Sequence, residues 1–190
     1  MIKYVIAVIM QLALVQQALG ADLSSHPGYV DFTSVYSIIG AEPNVEVNLN
    51  EPLLKLVTGI MSAQDGHDPE QEKAARFISS LLSVNVRVFN NLTTSQDAVI
   101  DTMAAVAEDL DAQQWQRIVR VREEQEHVDV YFRMSDDASL IHGITVMVSD
   151  SAESVLINIV GDISPDDINA LATRFDIDEL SNLEVDHENN

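Results

Sequence analysis

The sequence predicts an α+β domain, a two-layer sandwich in which a mainly antiparallel sheet carries helices packed on one face. Three observations point there. From residue 116 onward apolar and polar residues alternate over four successive segments, the period of half-buried strands. Between residues 50 and 115 apolar residues recur mainly at three- and four-residue steps, the spacing of a helical stripe. The turns between the alternating segments are short and polar, which favours neighbouring antiparallel strands over crossovers. Strands with one apolar face and helices with one apolar stripe bury both by stacking.

The elements follow in order. Val45, Val47 and Leu49 alternate with Glu46 and Asn48 as a first strand. Asn50 caps a helix with Pro52 in its first turn, and Leu53, Leu54, Val57, Ile60 and Met61 form its buried face, up to a break at residues 64–68 with Gly66. Asp68 caps a second helix, with Pro69, Glu70 and Glu72 in its first turns and Ala74, Phe77, Ile78, Leu81 and Leu82 inward. A strand then sets Val84, Val86 and Val88 against Asn85, Arg87 and Phe89. Thr93 or Thr94 starts a third helix striped by Val99, Met103, Val106 and Leu110, which Trp115 closes against the core.

Val119 and Val121, then Val128, Val130, Phe132 and Met134, then Ile144, Val146 and Val148, then Val155, Ile157 and Ile159 mark four strands. Ser164-Pro165-Asp166-Asp167 opens a last helix that docks through Ile168, Leu171 and Phe175. Near the start, His26-Pro27-Gly28-Tyr29-Val30-Asp31-Phe32 reads as an edge strand or an arm packed over the sheet.

Ahead of that arm stands a leader. Lys3 supplies its charge, residues 4–15 its apolar run and Ala18-Leu19-Gly20 a small-x-small cut site, so residues 1–20 are expected to be a signal peptide cleaved after Gly20. The run falls short of the ~20 apolar residues of a spanning helix, so no stable membrane insertion is expected after cleavage. The expectation is a periplasmic or secreted protein with one α+β domain over residues 21–177 and an acidic, disordered tail over 178–190. With no cysteine there is neither a disulfide nor a lipid-modified residue.

Ten basic residues stand against 31 acidic ones, and removing Lys3 with the leader leaves 9 against 31, a formal charge of −22. Such a field repels phosphate backbones and anionic membrane surfaces, which excludes nucleic acid as a partner. None of the acidic clusters has the ligand spacing of a calcium loop, and His26, His67, His127, His142 and His187 are scattered without a zinc-ligand spacing, so no metal and no cofactor is expected. There is no nucleophile elbow, no thiol and no phosphate-cradling glycine loop. Catalytic residues are therefore not assigned, although 31 acids allow a carboxylate-pair hydrolase as the rival reading.

The sheet face away from the valines is where function is sought. Arg87, Phe89, Arg120, Arg122, Tyr131 and Arg133 fall on that face, together with Thr145 and Met147. Guanidinium forks beside aromatic rings suit an acidic partner segment or an anionic ligand. The plainer alternative is a solvated face in which Arg120 or Arg122 pairs with Asp129 or Glu124.

The leader, Pro27-Gly28-Tyr29-Val30-Asp31-Phe32, Val45-Glu46-Val47-Asn48-Leu49 before an apolar helix, the long antiparallel run, and Val155-Leu156-Ile157-Asn158-Ile159-Val160-Gly161-Asp162-Ile163 resemble the bacterial exported family of domain of unknown function 4252. The resemblance covers most of the chain beyond the leader. It implies a small periplasmic protein of Gram-negative bacteria, without the lipid anchor of some relatives, and at most a link to envelope signalling. It brings no catalytic residues. The functional expectation is a non-catalytic periplasmic interaction or ligand-binding module, with a hydrolase, or a carrier of a small apolar ligand held between sheet and helices, as alternatives.

Overall fold

Alternation of β-branched and polar residues becomes strand at each place it occurs. The computed structural model describes residues 22–62, 69–90, 94–124, 126–166 and 168. Its strands are β1 (Val45–Asn50), β2 (Leu81–Asn90), β3 (Gln116–Arg122), β4 (Glu126–Met134), β5 (Ile141–Asp150) and β6 (Glu153–Ile163). They form one sheet in the order β1-β2-β6-β5-β4-β3, and each pairing is antiparallel. The helices are α1 (Thr33–Ile39), α2 (Glu51–Ser62), α3 (Pro69–Ser79) and α4 (Gln96–Ala112). The α+β class is as the sequence predicts.

The layering differs from the expectation of helices on one face, because both faces of this sheet are apolar. On one face, α1 (Val35, Ile39) and α4 (Val99, Met103, Val106, Leu110) pack on Phe89, Tyr131, Met147 and Leu156. On the other, Leu54 of α2 and Phe77 and Ile78 of α3 pack around Leu81, Phe132, Ile144 and Ile163. That second cover reaches only one end of the valine-rich face: Val86, Val88, Val146, Val148, Val155 and Ile157 remain half-buried.

Several local boundaries have chemical causes. The cap of α4 is Ser95, whose side chain accepts from the Ala98 N–H at 3.4 Å, with Asp97 in the first turn. Thr94 instead donates its hydroxyl to the Ile38 carbonyl at 2.9 Å and ties that loop to α1, while Thr93 lies outside the described residues. Leu81 and Leu82, expected at the end of α3, begin β2. They can do so because Gly161 faces them: a Cβ there would lie 2.3 Å from the Ser80 carbonyl oxygen. The segment Thr33–Ile39, unassigned from sequence, is helix α1. It stops at Gly40, whose φ of 63° places its N–H on the Tyr36 carbonyl at 2.9 Å.

In α2 the stripe expected to be buried is split. Leu54 is buried, but Leu53, Leu56, Val57 and Ile60 are 43, 59, 39 and 56% exposed. The helix begins one residue after β1 ends, and this tight link fixes its rotation with residues 54 and 58 toward the sheet side.

Residues 22–32 form an arm over the α1/α4 side, the second of the two readings of that segment. Val30 and Phe32 are buried in its core. The amide of Asn158, itself 3% exposed, donates to the Gly28 carbonyl at 3.0 Å, and its oxygen accepts from the Val30 N–H at 3.2 Å. At the C-terminal end, Ile168 donates its N–H to the Ser164 carbonyl at 3.4 Å, and helical geometry opens at residue 165. The leader, Asp68 with the break before it, Leu171, Phe175 and the acidic tail lie outside the described residues. Among the described residues no helix is long and apolar enough to cross a membrane.

Candidate anion-binding pocket

Strand alternation places Arg87, Phe89, Arg120, Arg122, Tyr131 and Arg133 on one sheet face, as the sequence predicts. The face is not open, however. The arm, α1 and α4 cover it, so that Phe89 is 2% exposed and Tyr131 fully buried. These two rings belong to the core and offer nothing to a partner.

The arginines separate into three settings. Arg87 braces the β1–β2 edge, with a salt bridge to Glu46 at 2.9 Å and donation to the Asn48 side chain at 2.9 Å. Arg133 donates to the Met134 carbonyl at 2.5 Å and to the Gln114 side chain at 3.2 Å. Only Arg120 and Arg122 come together, and Arg117 joins them. All three converge on Asp129, at 3.1, 2.5 and 3.5 Å respectively. The register that pairs Arg120 with Asp129 and Arg122 with His127 makes this convergence a consequence of the β3–β4 hairpin.

Asp129 is 6% exposed, so the partly exposed guanidinium groups take the place of most of the water its carboxylate would otherwise hold. Arg117 is held further: its Nε donates to the Tyr131 hydroxyl at 2.6 Å, and its terminal nitrogen meets Asp111 at 3.2 Å. Burial raises the Tyr131 pKa above its ordinary value, against the hydrogen bond and charge of Arg117. The phenol therefore stays neutral. Counting three guanidinium groups against Asp111 and Asp129 leaves 3 − 2 = +1 in a chain of formal charge −21.

Beside this cluster a cavity of about 250 Å³ opens between α4 and the sheet, lined by Ile100, Met103, Ala104, Arg120, Arg122, His127, Asp129 and Met147. Its inner wall is aliphatic and thioether. Its rim is cationic and donor-rich. Arg120 uses only its Nε on Asp129, so among the described residues nothing accepts from its terminal nitrogens. The Nδ1 of His127 is buried and has no hydrogen-bond partner in the protein. A buried imidazole nitrogen without a partner is uncommon and calls for an explanation.

Chemically, the cavity fits a small molecule with one anionic group at the rim and a short apolar body inside. An apolar cavity of ~150 Å³ is enough to hold benzene. The volume here therefore suits a ring or a short chain, and lies just below the ~300 Å³ where pockets for larger ligands begin. Ile100 and Ala104 escaped the sequence reading, in which His127 stands only as one of five scattered histidines. Nothing in α4 distinguishes a cavity-lining Ile100 from any other position beside the core stripe, and His127 enters only through its cross-strand place opposite Arg122.

Comparison with known proteins matches residues 36–171 to the family model described as Domain of unknown function (DUF4252). No curated protein and no solved structure matches the chain.

Proposed function

The chain belongs to the family of domain of unknown function 4252, and from its geometry we propose that it is a non-catalytic, exported ligand-binding module whose cavity between α4 and β3–β5 takes a small amphipathic anion. The observation that carries this reading is the convergence of Arg117, Arg120 and Arg122 on the one buried carboxylate of Asp129, at the mouth of a cavity walled by Met103 and Met147. Asp129 positions the guanidinium groups and neutralises only part of their charge. The remaining donors of Arg120 face a ligand carboxylate, and the apolar wall takes its body.

Guanidinium groups keep their protons at any physiological pH. They hold an anion without exchanging a proton with it, so binding rather than turnover is the activity these residues fit. The apolar wall also draws in the carrier reading, with the difference that the cargo carries a charge. The leader supports a periplasmic setting, in which such a module would meet its ligand in solution and report it to the envelope.

Calorimetric titration with hexanoate, benzoate and hexylamine tests the assignment. Hexanoate or benzoate is expected to bind, hexylamine is not, and Arg120→Gln is expected to weaken the anion by roughly tenfold, the loss of one charge-assisted contact. Equal binding of hexylamine, or an Arg120→Gln protein that binds as well as the parent, would remove the proposal. Cell fractionation tests the setting: the protein is expected in the periplasmic fraction, and its retention in the cytoplasm would contradict export.

A further inference from the structure

Well apart from the arginine pocket in the sequence of contacts, the arm meets β5 and β6 at a cluster of three side chains. His26, His142 and Asp162 each offer a ligand-type atom, and these atoms lie within 4.8 Å of one another. We propose that this trio is a site for a divalent transition-metal ion of the zinc type. His142 Nδ1 lies 2.9 Å from an Asp162 carboxylate oxygen, and the His26 and His142 rings meet edge-on with centroids 5.8 Å apart.

The donor set selects the ion. Two imidazoles and one carboxylate are the three protein ligands of zinc sites that keep a fourth position for water. Calcium and magnesium take oxygen ligands almost exclusively, so one carboxylate between two imidazoles suits them poorly. All three residues are at least partly accessible, with side-chain exposures of 23% for His142 and 59% for Asp162, so an ion can enter.

The scaffold is set before any ion arrives. The arm backbone lies directly on β5 at a pair of glycines: a Cβ on Gly28 would be 1.8 Å from the His142 carbonyl oxygen, and one on Gly143 would be 2.5 Å from the Gly28 Cα. Asn158 clamps the same stretch through Gly28 and Val30. His26 is thus fixed two residues ahead of a locked backbone. His142 sits on the strand beside it, and Asp162 lies on β6, where its N–H is held by the Ser80 carbonyl at 2.9 Å.

Ligation has a specific signature. Without metal, His26 Nδ1 accepts from the Gly28 N–H at 3.1 Å, which puts the proton of the neutral ring on Nε2. A metal on Nε2 moves that proton to Nδ1, where it opposes the Gly28 N–H; a metal on Nδ1 displaces the Gly28 N–H directly. In both cases the Gly28 amide loses its partner. Binding also competes with protons on the two rings, so affinity falls in acid.

The test is a titration of chelator-treated protein with zinc chloride, followed by calorimetry and by the amide resonance of Gly28. Expected are a 1:1 complex, displacement of the Gly28 resonance, a higher melting temperature with zinc, and little response to magnesium. His26→Gln, His142→Gln and Asp162→Asn each change one partly exposed side chain, and each is expected to weaken zinc by at least about tenfold, the low end of what even an outer-sphere partner contributes. A bare hydrogen-bonded latch is the competing account. It predicts no zinc effect on the Gly28 amide or on melting, and that outcome would overturn the proposal. Full zinc binding in the triple variant would overturn it as well, since the ion would then sit elsewhere.

Discussion

Asp129 is the single residue on which the pocket depends. One carboxylate, 6% exposed, accepts from Arg120 and Arg122 and pairs with Arg117 at 3.5 Å, and the three arginine side chains are between 27 and 45% exposed. Removing it leaves cations facing one another over an apolar wall. Because those cations reach solvent in part, Asp129→Ala is expected to cost about 2 kcal/mol, below the range for fully buried pairs. Urea denaturation checks this, and a change under about 0.5 kcal/mol would place the carboxylate outside the stability account.

Gly143 is the second such residue, because a side chain there would collide with the Gly28 backbone and with Trp115 at 2.6 Å. Gly143→Ala should cost about 1–3 kcal/mol, the usual penalty of overpacking, and expose the Trp115 indole, read as a shift in tryptophan fluorescence.

His26 adds a pH dependence in the same region. Burial lowers its pKa below the ordinary 6.5, with Asp162 opposing and the charge of His142 reinforcing the shift. Below pH 6.5 the unfolded chain takes up a proton that the folded ring resists, so the unfolded state binds more protons there. In the metal-free protein this contribution is therefore present above 6.5 and lost as the pH falls beneath it. Denaturation midpoints measured across that window should fall in acid, and His26→Gln should flatten the slope.

At the scale of elements, α2 separates what periodicity reveals from what it leaves open. The spacing of Leu53, Leu54, Val57, Ile60 and Met61 identified a helix, and the helix is there. The rotation of that helix is set by its direct junction with β1, which ends at Asn50 where the helix begins at Glu51, and by packing in the cluster around Leu81, which no stripe encodes. Leu54 at 4% exposure and Leu56 at 59% make the difference measurable. Leu54→Ala should cost about 2–5 kcal/mol, and Leu56→Ala less than about 0.5. Equal costs would mean the helix is rotated.

Helix α1 was missed for a different reason. Thr33–Ile39 is rich in β-branched and aromatic residues whose intrinsic helix preference is weak, and it is helical because Val35 and Ile39 fill the space under α4. The strands were legible because alternation needs no tertiary information. The partners of β2 were not: it lies between β1 and β6, and β6 comes from the far end of the chain.

Over the whole molecule, the sheet carries apolar side chains on both faces, and this decides the architecture. The valine-rich face announces itself through repeated residues. The opposite face hides its core in single large residues, Phe89, Tyr131, Met147 and Leu156, scattered among arginines and asparagines. Read by alternation alone it looks polar, which is why it was expected to be open. The structure instead folds helices onto it and leaves a cavity at the corner around Asp129. Arg120 and Arg122 were legible together with Asp129 as a cross-strand pairing; the methionine wall comes from α4 and β5, and the imidazole from β4, which no local pattern joins. The histidine–aspartate trio was less legible still, since its members are joined only by the arm crossing β5.

The charge of −21 belongs to this scale too. It repels anions at long range, so an anion reaches the pocket only where three guanidinium groups outweigh the field locally. Its affinity should therefore rise with moderate salt, which screens the distant carboxylates more than the contacts at the rim.

The central claim is that the cavity beside Asp129 binds a small amphipathic anion, and the most direct measurement is a hexanoate titration of protein labelled at its methionine methyl groups. The account predicts saturable shifts at Met103 and Met147, which line the cavity, with Met61 and Met134 unmoved and the midpoint moved to roughly tenfold higher hexanoate in Arg120→Gln. Methyl resonances that stay in place at saturating hexanoate, or that move equally at all four positions, would contradict it.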